Sequence, residues 1–294
     1  AAILSVQLFQ FFHVVSFAFL CNSTSRIKLF DIIEDIRKKF KSYLDKAQTI
    51  RSLEMLLPIS SIKQMVKVTW IQLAPFVKSV IVYFVIGSFE FFNSNVLSTI
   101  LKCIPIICLM AFIFLMGFKF TNEYRHHQLI LLGLIFSCAG DALLDYQKGI
   151  LFQYGMLAFA VAQICYVAAF GWQPFRLLIG VIFYGLGALS LSLMFKNMEG
   201  ILIFAVPIYC ILLLTMGWRA NARLQNLQNL PKLFTAIGAI LFIISDGLIA
   251  FNMFYAPVKY SGILIMSTYY MAQLGITLSI LDHDVTPKST VKSN

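Results

Sequence analysis

Apolar runs of about 20 residues recur along most of this 294-residue chain. A helix of that length crosses the ~30 Å hydrocarbon core of a bilayer. The composition agrees, because 60% of the residues are hydrophobic and only 12% are charged, whereas soluble domains carry about 25% charged residues. These features exclude an ordinary soluble enzyme and predict an all-α, polytopic transmembrane helical bundle.

Eight spans with very short connections are predicted from Pro75 onward, so that sequential helices run antiparallel. The predicted spans are 75–92, 96–118, 128–147, 149–171, 176–195, 199–218, 232–254 and 261–282. Eight basic residues lie in the loops and tail on one side of the bundle, and three lie on the other. The positive-inside rule then places both ends of the eight-span unit in the cytosol. The net charge of +10 therefore reports topology and indicates no nucleic-acid partner.

Charge density divides the chain near Met65, because residues 21–64 hold 14 charged residues in 44. The sequence predicts an N-terminal extension, an eight-span membrane domain and a polar cytosolic tail, at 1–64, 65–284 and 285–294.

The N-terminal extension has two parts. Residues 1–20 are apolar, and residues 27–57 form a basic amphipathic segment, typical of a helix on a membrane surface or of a solvated linker. The extension begins without Met, and a partial gene model is one explanation for it. We expect a chain that starts at Met65 to keep the activity.

The third and seventh spans share a short internal sequence similarity, GDALL at 140–144 and SDGLI at 245–249. Their aspartates, Asp141 and Asp246, are 105 residues apart. This spacing would fit two four-helix halves in parallel repeat. Chance similarity between apolar helices is the alternative.

Asp141 and Asp246 are the main candidates for chemistry, because a charge at the bilayer centre costs ~2.5–3.5 kcal/mol or more. They lie 13 and 14 residues beyond Gln128 and Lys232, which is about 20 Å from the cytosolic edge at ~1.5 Å per residue. If the two helices face each other, repulsion in a shared cavity keeps one carboxyl protonated beside the other, a pairing suited to acid–base catalysis. The alternative is that each Asp only hydrogen-bonds a neighbouring helix.

Other polar side chains inside the spans are candidates for binding a substrate. Lys102 would counter the charge of the aspartates or of a phosphate, unless it snorkels towards the interface. On the last span, Thr268, Tyr269, Tyr270 and Gln273 would form the wall of a polar cavity. Cysteine and histidine spacings match no common metal-binding pattern, so no metal site is predicted.

Five segments are similar to motifs of the YhhN-like lysoplasmalogenase family, in order and within about 75–282. They are KCIP at 102–105, GDALL at 140–144, FGWQP at 170–174, SDGLIAFN at 245–252 and STYYMAQ at 267–273. Two positions depart from the family pattern. Gln163 stands where many members have His, and Met253 stands where a basic residue often follows the Asn or Asp.

This resemblance implies a membrane hydrolase that acts on lysophospholipids. The implied reaction cleaves the vinyl ether of a lysoplasmalogen to a fatty aldehyde and glycerophosphoethanolamine or glycerophosphocholine, with no cofactor. Asp141 and Asp246 would be the acid–base pair, and Asn252 would join the substrate contacts. The endoplasmic reticulum is the expected membrane, and a homo-oligomer is one of the assembly states that the resemblance allows.

Three other classes of protein use similar residues. An intramembrane aspartyl protease also needs two Asp, but the segment before Asp141 lacks the first glycine of that signature. An ion-coupled transporter of small molecules or lipids would use the same buried carboxylates. A structural or receptor-like bundle would tolerate Asp→Asn at both positions.

Overall fold

The computed structural model describes residues 59–87, 95–144 and 150–282, and every regular element in these ranges is helical. Within these ranges eight helices follow one another, namely α1 (Ile59–Gly87), α2 (Asn95–Leu115), α3 (Arg125–Leu144), α4 (Ile150–Phe170), α5 (Leu177–Met194), α6 (Leu202–Ala222), α7 (Leu230–Phe254) and α8 (Ser261–Thr277). Short 3₁₀ turns lie at Asn122–Tyr124, Phe195–Asn197 and Leu278–Leu281.

Each of these eight helices is long and apolar enough to cross a membrane. A helix suits that environment because it pairs its backbone N–H and C=O groups internally, where lipid offers no partner. The predicted all-α bundle of eight spans is confirmed for the described residues. The protein is an integral, multi-pass membrane protein.

The first helix starts earlier than the sequence analysis predicted. We expected a span from residue 75, but α1 begins at Ile59 and its membrane-length apolar stretch is Met65–Ile86. Pro75 lies inside the helix instead of opening it, since membrane helices tolerate proline when neighbouring groups satisfy the freed carbonyl. The predicted domain boundary at 64/65 falls within α1, and the division into domains stays a prediction.

The central helix of the described bundle is α8, which contacts α2, α3 and α7. Four of its side chains are fully buried, at Ala272, Gln273, Ile276 and Thr277. Helix α5 is peripheral, packs mainly on α6 and exposes a row of apolar side chains that suits contact with lipid. Helix α6 in turn contacts α4, α5 and α7, which brings it alongside the seventh helix.

Glycines set the distance between the two most closely packed helix pairs, α3 with α4 and α7 with α8. A Cβ on Gly133 would overlap the ring of Tyr166, and one on Gly238 would lie 2.8 Å from the carbonyl oxygen of Ala272. Small residues allow such close contact between membrane helices. These two glycines are separated by the same 105 residues as the two aspartates. The equal spacing agrees with the predicted repeat, which stays a prediction.

Some predicted segments fall outside the described residues. They are the apolar segment at 1–20, the basic segment at 27–57 and the tail at 285–294.

Candidate active site

The structure brings the two intramembrane aspartates to one cavity. Asp141 on α3 and Asp246 on α7 each lie 16 residues beyond the first residue of their helix, a distance of ~24 Å along the axis. Both line a cavity of about 100 Å³. We call it the aspartate cavity and define it by its main polar lining residues, Lys102, Asp141, Tyr209, Asp246 and Tyr269.

Asp141 is held by the central helix. The hydroxyl of Tyr269 on α8 donates a 2.6 Å hydrogen bond to Oδ2 of Asp141. Asp141 is only 3% exposed, and the Tyr269 ring packs edge-on against Phe159 and Phe242. The aromatic contacts fix the direction of the hydroxyl, so the carboxylate has one defined donor in an apolar setting.

Asp246 has a corresponding partner on a different helix. Tyr209 on α6 donates its hydroxyl hydrogen to Oδ2 of Asp246, and Asp246 is partly buried. Sequence analysis missed Tyr209. The sequence feature that could have indicated Tyr209 is a tyrosine inside an apolar span. No local pattern indicated that α6 lies beside α7.

Lys102 supplies a positive group to the same cavity. It extends from α2 and lines the aspartate cavity together with both carboxylates. Its backbone carbonyl accepts a 3.0 Å hydrogen bond from the hydroxyl of Tyr270, which ties α2 to α8. An ammonium group beside two carboxylates lowers the cost of keeping them in the membrane.

The rest of the aspartate cavity is apolar, with walls that include Leu144, Phe152, Met156, Phe159, Met253, Phe254 and Met266. Its volume is smaller than the ~300–1,000 Å³ of pockets that enclose drug-sized ligands. The cavity therefore has room for a reacting group, while a long ligand must extend beyond it.

Comparison with known proteins identifies the family. The sequence profile of the YhhN family matches residues 97–280. The chain belongs to the YhhN family. This confirms the resemblance found in the sequence motifs, and the matched region contains every main polar residue of the aspartate cavity.

Relatives of this YhhN protein carry enzyme names. It is 39% identical over 214 residues to "Lysoplasmalogenase TMEM86A" of Homo sapiens, covering 72% of this chain and 89% of the relative. It is 34% identical over 217 residues to "Lysoplasmalogenase TMEM86B" of Homo sapiens, covering 74% of this chain and 89% of that relative. No solved structure matches the chain.

Half of the site residues predicted for this YhhN protein line the aspartate cavity, namely Lys102, Asp141, Asp246 and Tyr269. The other four are engaged elsewhere. Tyr270 bonds to the Lys102 carbonyl, and Gln273 accepts a 2.8 Å hydrogen bond from Tyr166. Thr268 donates to the Leu264 carbonyl within α8, and Asn252 accepts from the backbone N–H of Val258 in the loop after α7. Roles for all eight residues stay predictions.

The arrangement in the YhhN cavity suits acid–base chemistry on an apolar molecule. Two carboxyl groups face one space, and each accepts a hydrogen bond from a tyrosine on another helix. A protonated carboxyl can act as an acid, and an ionised one can stabilise a cation or accept a proton. Because the surroundings are apolar, these electrostatic effects are stronger than in water.

Proposed function

We propose that this YhhN-family protein is a lysoplasmalogenase that uses Asp141 and Asp246 as an acid–base pair. The observation that carries the proposal is the shared cavity, in which both carboxyl groups face one apolar space inside the membrane. The family membership and the enzyme names of the relatives support the choice of substrate. The substrate is a 1-alkenyl lysophospholipid with an ethanolamine or choline head group.

The proposed reaction begins with a proton transfer to carbon. One carboxyl group donates its proton to the β-carbon of the vinyl ether, and the double-bond electrons form the new C–H bond. The positive charge then resides on the α-carbon and the ether oxygen as an oxocarbenium ion. The second carboxylate lies across the same cavity and stabilises that cation.

Hydrolysis follows by addition of water. Water attacks the oxocarbenium carbon and gives up a proton to the carboxylate that donated the first proton, which leaves a neutral hemiacetal. The hemiacetal loses its glycerol oxygen as an alcohol, which takes up a proton, and the remaining carbon becomes the fatty aldehyde. The net reaction consumes one water, restores both carboxyl groups and needs no redox step.

The lining of the cavity suggests how the substrate lies. The apolar walls suit the alkenyl chain, and Lys102 is suited to attract the phosphate of the head group. The small volume means that only the vinyl ether must be enclosed, while the chain extends between the helices. Asn252, Thr268 and Gln273 stay part of the proposed binding set, outside the cavity lining. Tyr270 was predicted with them, and we propose that it supports the wall through its bond to the Lys102 carbonyl.

The orientation and location are also proposals. The excess of basic residues in one set of loops favours a cytosolic position for both ends of the eight-span unit, and the aspartate cavity would then lie in the half of the membrane away from the cytosol. The endoplasmic reticulum is the membrane that we expect.

The test compares matched lipids with purified protein in detergent or nanodiscs. A 1-alkenyl lysophospholipid should release aldehyde, whereas its 1-alkyl counterpart should not, because a saturated ether cannot form the cation by protonation of a double bond. Equal hydrolysis of a 1-acyl lysophospholipid would indicate a different enzyme class. Movement of the alkenyl lipid across a vesicle membrane without any aldehyde would favour the transporter alternative.

A further inference from the structure

Two glutamines are fully buried inside the bundle. Gln163 on α4 and Gln273 on α8 are both 0% exposed. Neither Nε2 nor Oε1 of Gln163 makes a hydrogen bond of regular geometry with a described residue, and the same holds for Nε2 of Gln273. A buried amide without such a bond costs stability, so buried polar groups in native proteins nearly always have a partner. The position of these two amides therefore calls for a specific neighbour.

Gln163 lies beside the phenol that holds Asp246. Helix α4 packs along α6, and this packing brings the side-chain amide of Gln163 next to the hydroxyl of Tyr209. That hydroxyl donates its hydrogen to Oδ2 of Asp246. Its oxygen keeps lone pairs that can accept a hydrogen bond. An N–H of the Gln163 amide can therefore bind Tyr209 while Tyr209 stays bound to Asp246.

Gln273 has the same relation to the other carboxyl group. Tyr269 and Gln273 are four residues apart on α8, so their side chains share one face of the helix. The Gln273 amide lies next to the Tyr269 hydroxyl, which donates to Asp141. The order of amide, phenol and carboxyl group thus occurs on both sides of the aspartate cavity. Accidental packing of one buried amide does not explain two such arrangements.

We propose that Gln163 is a positioning residue that acts through Tyr209 on Asp246. Its amide donates a hydrogen bond to the phenol oxygen, and this bond directs the hydroxyl towards the carboxyl group. Hydrogen bonds in a chain polarise one another, so the amide also strengthens the bond from Tyr209 to Asp246. Such bonds are often long or poorly aligned in enzymes without substrate and tighten in the complex. The effect on turnover rests on the proposed function, whereas the contact between Gln163 and Tyr209 does not.

The first experiment is a double-mutant cycle on turnover in nanodiscs. Gln163→Met removes the amide and keeps the length of the side chain. It should lower kcat about three- to tenfold, the effect of one hydrogen bond, with KM nearly unchanged because Gln163 does not line the cavity. In Tyr209→Phe protein the same substitution should have no further effect, because the amide has lost its acceptor. In Tyr269→Phe protein it should again lower kcat by the same factor.

Gln128→Met is the matched control. The amide of Gln128 donates to the carbonyl oxygens of Lys119 and Thr121 near the start of α3, outside the cavity lining. Its loss should leave kcat unchanged. Equal effects of Gln163→Met in the Tyr209→Phe and Tyr269→Phe proteins would overturn the proposal, because Gln163 would then act independently of Tyr209. An unchanged kcat in the Gln163→Met single variant would overturn it as well.

The second experiment measures the contact without using activity, through the unfolding temperature of the same purified proteins. Gln163→Met should lower the unfolding temperature of the otherwise unaltered protein, because it removes a hydrogen bond. In Tyr209→Phe protein it should raise the unfolding temperature, because there the amide lacks its acceptor and a buried unpaired amide is destabilising. Opposite signs identify an interaction between the two side chains. The same shift in both proteins would overturn the contact and the proposal with it.

The two experiments separate this proposal from the proposed function. If the unaltered protein releases no aldehyde, the proposed function is wrong, and the unfolding temperatures alone decide whether Gln163 binds Tyr209. If aldehyde release is normal and Gln163 and Tyr209 act independently in both cycles, the hydrolase stands and the role of Gln163 is wrong. If Gln163→Met does not fold, Gln163→Leu takes its place in both cycles.

Discussion

The hydroxyl of Tyr209 on α6 donates a hydrogen bond to the carboxylate of Asp246 on α7. On the other side of the same cavity, Tyr269 on α8 donates to Asp141 on α3. Each carboxyl group is thus oriented by a phenol from a different helix. In an apolar cavity such a bond limits the rotation of the carboxyl group and stabilises its ionised form.

Replacing either aspartate by asparagine should abolish aldehyde release. Asn cannot donate an acidic proton or carry the negative charge that opposes the cation, and general acid–base catalysis typically contributes ~10²–10⁴-fold. Asp141→Asn and Asp246→Asn should each lower kcat by at least ~100-fold in purified protein. Both variants must elute as folded protein in the same position as the parent. Near-normal turnover by either variant would exclude the acid–base pair.

Tyr209→Phe should lower kcat by about tenfold or more, because a hydrogen bond to a charged group contributes ~1.5–3 kcal/mol. Its KM should change little, since the phenol orients Asp246 instead of holding the lipid. Tyr184→Phe is the matched control, because that hydroxyl shares a 2.7 Å hydrogen bond with Thr215 away from the cavity. Steady-state kinetics of both variants separate orientation of the carboxyl group from general loss of a hydrogen bond. Equal effects in the two variants would remove Tyr209 from the site.

The neighbours Tyr269 and Tyr270 provide a second matched pair. Tyr269→Phe removes the donor to Asp141, and kcat should fall by about tenfold or more for the same reason. Tyr270→Phe removes a bond to the Lys102 carbonyl outside the cavity lining, and it should cost ~1 kcal/mol of stability with kcat nearly unchanged. Thermal unfolding and aldehyde release are measured together. A large loss of kcat in a stable Tyr270→Phe protein would place Tyr270 in the catalytic machinery.

Gly238→Ala should destabilise the bundle by ~1–3 kcal/mol, as overpacking of a close contact does. The added Cβ would lie 2.8 Å from the Ala272 carbonyl oxygen and 2.9 Å from Cα of Gly275, and backbone atoms cannot move aside. Gly247→Ala on the same helix meets no atom within 4 Å and should be neutral or slightly stabilising. Thermal unfolding in one detergent compares the two. Equal stability would show that α7 and α8 do not pack as closely as described.

Removal of residues 1–58 should leave the activity close to that of the full chain. Helix α1 begins at Ile59, and the main polar residues of the aspartate cavity lie from Lys102 onward. A chain that begins at Met65 keeps the whole membrane-length stretch Met65–Ile86 and should also be active. Membrane extraction and aldehyde release are measured for both chains. Normal insertion with lost activity would mean that the extension contributes to the site.

The number of membrane-length helices in the described residues and the presence of two intramembrane aspartates were predictable from sequence. Apolarity over about 20 residues is a local property, and a carboxylate inside such a run is conspicuous because of its cost. Their equal depth followed from counting residues along each helix. The start of α1 was not predictable in the same way, since proline favours the first turn of a helix and Pro75 lies in the interior, which membrane helices tolerate.

Sequence alone thus determined that the described part of the chain forms eight membrane-length helices with Asp141 and Asp246 at one depth, because span length and position along a helix depend on nearby residues only. Tertiary structure decided which groups meet. It placed Tyr209 on Asp246, directed Tyr269 into the aspartate cavity and turned Tyr270 away from it towards the Lys102 carbonyl. The physical reason is that helix neighbours and rotations are set by close packing between segments far apart in the chain, and no local pattern encodes that packing.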